Sequence, residues 1–122
     1  MKTLCVSLET AKALKAAGWT KPTVFAYRML DGEWKLDYFH ELFAGEKLSA
    51  PTAEEVLREL PEKIDLKEWR RDLQFLFIAP EKGKWEVSYG EFKKFRDKSL
   101  SEAAAQMWLW CVSEGHIKSE GK

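Results

Sequence analysis

The chain holds 122 residues, 45% apolar and 33% charged, and its 20 basic and 20 acidic side chains give a formal net charge of zero. That length supports one self-sufficient core, and the charge balance removes any general electrostatic attraction to nucleic acid or to an anionic membrane. No run of about 18 apolar residues occurs, so no helical membrane span is expected.

Aromatic side chains make up 13% of the chain and six of them are tryptophan, which points to a well-filled core or a binding face. Residues 1–6 form too short an apolar run for a secretory leader. A cytoplasmic protein is therefore expected, with Cys5 and Cys111 as buried thiols and a disulfide between them as the lesser alternative. Residues 7–17 then read as a helix: Ser7 is the N-cap, Leu8, Ala11 and Leu14 form one stripe, and Gly18 is the stop. Residues 19–22 form a linker, because Pro22 cannot sit inside a ladder.

Residues 23–38 carry the clearest local signal, Asp31-Gly32 between two alternating runs. A two-residue turn would pair Leu30 with Glu33, Met29 with Trp34, Tyr27 with Leu36 and Phe25 with Tyr38. Phe25, Tyr27, Met29, Trp34, Leu36 and Tyr38 then share one face, opposite Arg28, Glu33, Lys35 and Asp37. Residues 40–50 are expected to be irregular around Gly45. Thr52 and Glu55 form a capping box for a helix over 52–60 that Pro61 ends. Residues 61–72 read as a connection with a short strand or turn.

Residues 73–79, LQFLFIA, are apolar on both alternating sets apart from Gln74, the pattern of a strand covered on both faces. Residues 80–83 are a turn. Trp85, Val87 and Tyr89 then alternate with Lys84, Glu86 and Ser88, so this strand has one wet side. Residues 91–98 suit either a helical turn through Phe92 and Phe95 or a bulged strand extension. Residues 99–115, SLSEAAAQMWLWCVSEG, form the helix around which the chain is organised. Ser99 and Glu102 read as a capping box and Gly115 as the C-cap. Leu100, Ala104, Met107 and Cys111 line one face, flanked by Trp108 and Trp110, with Leu109 turned away. The order α-β-β-α-β-β-α predicts one α+β domain over 1–122. Its core would be an antiparallel sheet of about four strands from two hairpins, with helices on one or both faces as in an α/β/α sandwich.

No motif fixes a chemistry. His40 and His116 have no metal spacing, and His40-Glu41 lacks a second histidine at position 44. Cys111 and His116 straddle a helix end, with the thiol on the inner stripe where burial makes it inert. Glu54-Glu55 sit in a first helical turn, where negative charge serves the helix. No glycine-rich phosphate loop is present, and no cofactor or metal is expected.

Three stretches, SLETAKALKAAGW (7–19), APTAEEVLRELP (50–61) and SLSEAAAQMWLWCVSEGHI (99–117), together resemble a group of small uncharacterised proteins encoded by bacteria and their phages or prophages. The resemblance implies a genomic setting and maps no catalytic residue.

Three functions compete. The leading expectation is a small non-enzymatic binding module, phage-associated and acting on a host or phage component, with a protein-partner or self-association surface at Trp108, Leu109 and Trp110. The first alternative is a ligand-sequestering protein or small enzyme with a site at Asp37, Tyr38 and His40, where a strand ends and a loop begins. The second is a weak nucleic-acid binder using Phe92, Lys93, Lys94 and Arg96, in which cations interleave with an aromatic.

Overall fold

The computed structural model describes residues 4–39, 45–65, 73–90 and 93–117. The fold is α+β, with three helices and seven strands among the described residues: α1 (Leu8–Ala16), β1 (Phe25–Leu30), β2 (Glu33–Tyr38), β3 (Lys47–Ala50), α2 (Ala53–Glu59), β4 (Lys63–Asp65), β5 (Leu73–Glu81), β6 (Lys84–Tyr89), β7 (Lys93–Asp97) and α3 (Leu100–Ser113). The two hairpins do not share a sheet. The first joins β3 in the order β2-β1-β3, and the second is flanked in the order β4-β5-β6-β7, with every pairing antiparallel.

Local chemistry sets the turns. Asp31 (φ 50°) and Gly32 (φ 80°) both take positive φ, and so do Lys82 (φ 48°) and Gly83 (φ 80°). Two consecutive positive values are the mark of the type I′ turn, whose twist matches that of the flanking strands. The first hairpin keeps the expected register, Phe25 opposite Tyr38 through Leu30 opposite Glu33. The second hairpin turns two residues later than expected. Pro80 and Glu81 belong to β5, and the turn is Lys82-Gly83. Glu81 and Lys84 close the turn as a hydrogen-bonded pair, so the backbone nitrogen of Pro80 faces the outer edge. There the missing N–H costs no ladder bond and blunts the edge. Two further segments resolve as strands. The end of the stretch expected to be irregular becomes β3, paired with β1, and residues 93–97 become β7, paired with β6.

The helix ends are closed by the residues expected to close them. Thr52 Oγ1 accepts from Glu55 N while Glu55 Oε1 accepts from Thr52 N, a complete capping box. Helices α1 and α3 both end in a Schellman arrangement. Gly18 N donates to Lys15 O and Trp19 N to Leu14 O, while Gly115 N donates to Val112 O and His116 N to Cys111 O. The expected box at the start of α3 forms only in half. Ser99 Oγ accepts from Glu102 N, but Ser99 N donates to Asp97 Oδ1 instead. The Glu102 carboxylate is turned to α1, where it accepts from Ser7 N at 2.6 Å and from the Thr10 hydroxyl.

Helix α3 lies against β6, β7, α2 and α1, while α1 also packs on β3. The buried cluster therefore runs from Cys5 and Val6 through Leu14, Phe25, Tyr27 and Val56 to Val87, Tyr89, Met107 and Cys111. Ala103, Ala104 and Ala105 are fully buried, because small side chains let α3 approach its neighbours closely. Trp19 meets Trp108 edge-on at 5.1 Å.

Candidate binding surface

In the second sheet, directly opposed residues share a face, so the register sorts every side chain. Ile64, Leu76, Ile78, Val87, Tyr89 and Phe95 point one way, toward α3. Val87 and Tyr89 are completely buried there. The other face carries Lys63 on β4, Phe75, Phe77 and Ala79 on β5, Glu86 and Ser88 on β6, and Lys94 and Arg96 on β7.

That second face is open. Phe75 is 59% exposed and Phe77 56%, the most exposed large apolar side chains of this sheet among the described residues. The expectation that residues 73–79 are covered on both faces is thus corrected: one face is covered and one is not. A signal for this was present in the neighbouring strand. Lys84, Glu86 and Ser88 are the wet set of β6, and the hairpin register puts Phe77 opposite Ser88 and Ala79 opposite Glu86.

Geometry follows from strand spacing. Phe75 and Phe77 stand two residues apart on one strand, roughly 7 Å. Lys63 is directly opposite Phe75, and Lys94 lies beyond Ser88 on the row of Phe77, about 10 Å away. Arg96 Nε donates to Glu86 Oε1 at 2.9 Å, and Glu86 is only 8% exposed, so this carboxylate is already engaged. The β5–β6 hairpin also exposes Ile78 and Trp85 on its other side, beyond the cover of α3.

The candidates from sequence fall as follows. Lys94 and Arg96 share the open face. Lys93 does not: strand alternation sends it to the opposite side, its ammonium 5.0 Å from the Phe95 ring centroid and 5.9 Å from that of Trp110. Phe92 lies outside the described residues. Trp108 is 5% exposed and belongs to the core, which takes it out of the expected partner surface. Leu109 and Trp110 are half-buried and pack against that core, and the Trp110 ring lies 5.2 Å from the His116 ring.

Asp37 and Tyr38 are adjacent on β2 and so face opposite ways. Asp37 Oδ2 sits 3.9 Å from Arg28 Nη1, while the exposed Tyr38 stacks on Phe25 at 5.3 Å. His40 lies outside the described residues. Phe39, next to it in the chain, lines an open cleft of about 240 Å³ together with Leu14, Lys15, Trp19, Lys47 and Ser49. That volume is below the ~300 Å³ at which ligand pockets usually begin.

The two thiols are buried and unlinked. Burial pushes Cys111 up to about 11 against the lowering effect of its contact with the Tyr89 hydroxyl, and burial also raises Cys5. The buried Tyr89 phenol is likewise raised by desolvation and donates to Pro61 O at 2.6 Å. Such thiols are poor nucleophiles at neutral pH. Among the described residues no cluster of three or more His, Cys, Asp or Glu could hold a metal ion, and no helix is long and apolar enough to cross a membrane. Comparison of the chain with protein-family models, curated proteins and solved structures yields no match.

Proposed function

We propose that this chain is a small non-enzymatic binding protein that takes its target on the open face of the second sheet. The observation that carries the reading is the exposure of Phe75 and Phe77, each more than half in water on a face whose other side chains are polar or small. Isolated exposed apolar residues need no explanation, but paired exposed rings on one strand form a local apolar patch of the kind that favours association. The buried, up-shifted thiols support binding over nucleophilic catalysis. The resemblance of residues 7–19, 50–61 and 99–117 to small proteins of bacteria and their phages is in keeping with a host or phage component as target.

The test compares the parent with Phe75→Ser/Phe77→Ser after incubation in a bacterial lysate, recapture and native mass spectrometry. Both side chains are solvated, so the double variant should unfold in urea within about 0.5 kcal/mol of the parent. The parent should retain a companion that the variant loses. Equal retention by both proteins, or by neither, would refute the assignment of this face.

A further inference from the structure

We infer that the occupant of this face is a single-stranded nucleic acid, with successive bases seated on Phe75 and Phe77 and phosphates beside Lys63 and Lys94; this rests on the binding role proposed above. Three observations favour it. The first is size. A phenylalanine ring of the usual 150–250 Å² that is a little over half exposed leaves two rings with roughly 230 Å² between them. A stable protein interface needs about 800 Å² per partner. The two rings alone supply under a third of that area, while they match two stacked bases, each base laying a π face on one ring.

The second observation is the placement of charge. Lys63 stands opposite Phe75 on one side of the aromatic strip, and Lys94 stands across Ser88 on the other. Cations on both flanks of a stacking platform suit a strand whose bases lie inward and whose phosphates run alongside. The Glu86 carboxylate, on the neighbouring row opposite Ala79, is paired with Arg96, which lessens its repulsion of a phosphate beside Lys94. A face-to-face pairing with a second copy would instead bring the same lysines toward one another.

The third is shape. Phe75 and Phe77 project from a sheet rather than from a helix that could enter a groove, and in a duplex the π faces of the bases are already stacked. With zero net charge on the chain, attraction comes from local cations such as Lys63 and Lys94, so binding should be modest and its salt dependence shallow.

The experiment is fluorescence anisotropy of the full chain with fluorescein-labelled 12-nucleotide oligo-dT, oligo-U and a duplex of equal length, at 50 and 200 mM salt. Single strands should bind and the duplex should bind more weakly. Phe75→Ala and Phe77→Ala should each weaken single-strand binding by about 5- to 100-fold. Two neutralised phosphates give a slope of about −1.4 in log K against log salt, or about sevenfold weakening between the two conditions, and Lys63→Gln or Lys94→Gln should reduce that slope by about 0.7. Oligo-U binding tighter than oligo-dT would assign RNA, and the reverse DNA.

No anisotropy change at 50 mM salt overturns the inference, and so does equal binding of duplex and single strand or indifference to both alanine variants. Equal binding of a labelled poly-glutamate peptide overturns it in favour of an acidic protein segment. If the oligonucleotides fail while a nuclease-treated lysate still yields a companion that Phe75→Ser/Phe77→Ser loses, the binding role stands and the nucleic-acid assignment falls.

Discussion

Replacing Glu102 by alanine tests whether α1 is capped from the far end of the chain. Its carboxylate accepts from Ser7 N at 2.6 Å and from the Thr10 hydroxyl, contacts that span 95 and 92 positions of sequence. A hydrogen bond to a charged group contributes about 1.5–3 kcal/mol when well protected. These bonds are only partly shielded from water, so about 1 kcal/mol each is the appropriate end, or about 2 kcal/mol for Glu102→Ala. A chain of this length has a total stability of roughly 6–18 kcal/mol, and the loss should lower Tm by about 8 °C. Urea titration followed by tryptophan fluorescence reads the change. The specific assay is a double-mutant cycle with Thr10→Val, which removes the hydroxyl and keeps the β-branched shape. The pair should couple by at least 0.5 kcal/mol. A coupling near zero, or a Glu102→Ala cost under 0.5 kcal/mol, would refute the argument that the first and third helices are joined by this carboxylate.

Three further outcomes follow from the geometry. Burial raises Cys111 to about 11 in the fold from an ordinary 9.0, so the fold favours the neutral thiol. Its contribution is complete below pH 9 and is lost as pH rises toward 11, by about 2–3 kcal/mol; urea midpoints that do not change between pH 8 and 10.5 would contradict this, and Cys111→Ala should flatten the decline. Both thiols should resist an aromatic disulfide reagent in the native state at pH 7.5 and react fully in urea; rapid labelling of Cys111 without denaturant would mean that α3 is not seated as described. Gly115 has φ 81° and no atom within 4 Å of an added methyl group, so Gly115→Ala carries only the conformational cost of the left-handed region, about 1 kcal/mol by urea titration; no measurable cost would contradict the Schellman end of α3.

What the sequence shows plainly is whatever is decided within a few residues. Ser7, Thr52 and Ser99 cap the helices because a hydroxyl reaches only its own first turn, and Asp31-Gly32 sets a register because the turn geometry leaves one pairing. What it conceals is decided by distant partners. Lys47-Leu48-Ser49-Ala50 is too short and mixed to announce a strand, and becomes one because β1 offers it an edge. Glu102 satisfies the spacing of a local box, yet an α1 start within reach takes its carboxylate instead. The open face of the second sheet shows the same limit. Phe75 and Phe77 are chemically like Leu76 and Ile78, so residues 73–81 alone cannot say which set meets α3. The answer lies in β6, where a polar set is joined to them through one turn. Trp108 and Trp110 pose the same question on a helix, and the partners that bury Trp108 include Trp19, almost ninety residues earlier.

The position of α3 along the chain has a consequence for how the protein is made. The side of the second sheet that carries Val87 and Tyr89 is covered by residues 100–113, which leave the ribosome after every strand of that sheet. At elongation rates of about 5–20 residues per second, the 16 residues from 97 to 113 take roughly 1–3 s. Over that interval the nascent sheet would be apolar on both sides, with Val87 and Tyr89 awaiting their helix and Phe75 and Phe77 bare by design of the fold. The aromatic strip that stays exposed in the finished protein is thus joined during synthesis by a second apolar face, and charged side chains such as Lys63 and Lys94 beside it are of the kind that disfavour aggregation at that stage.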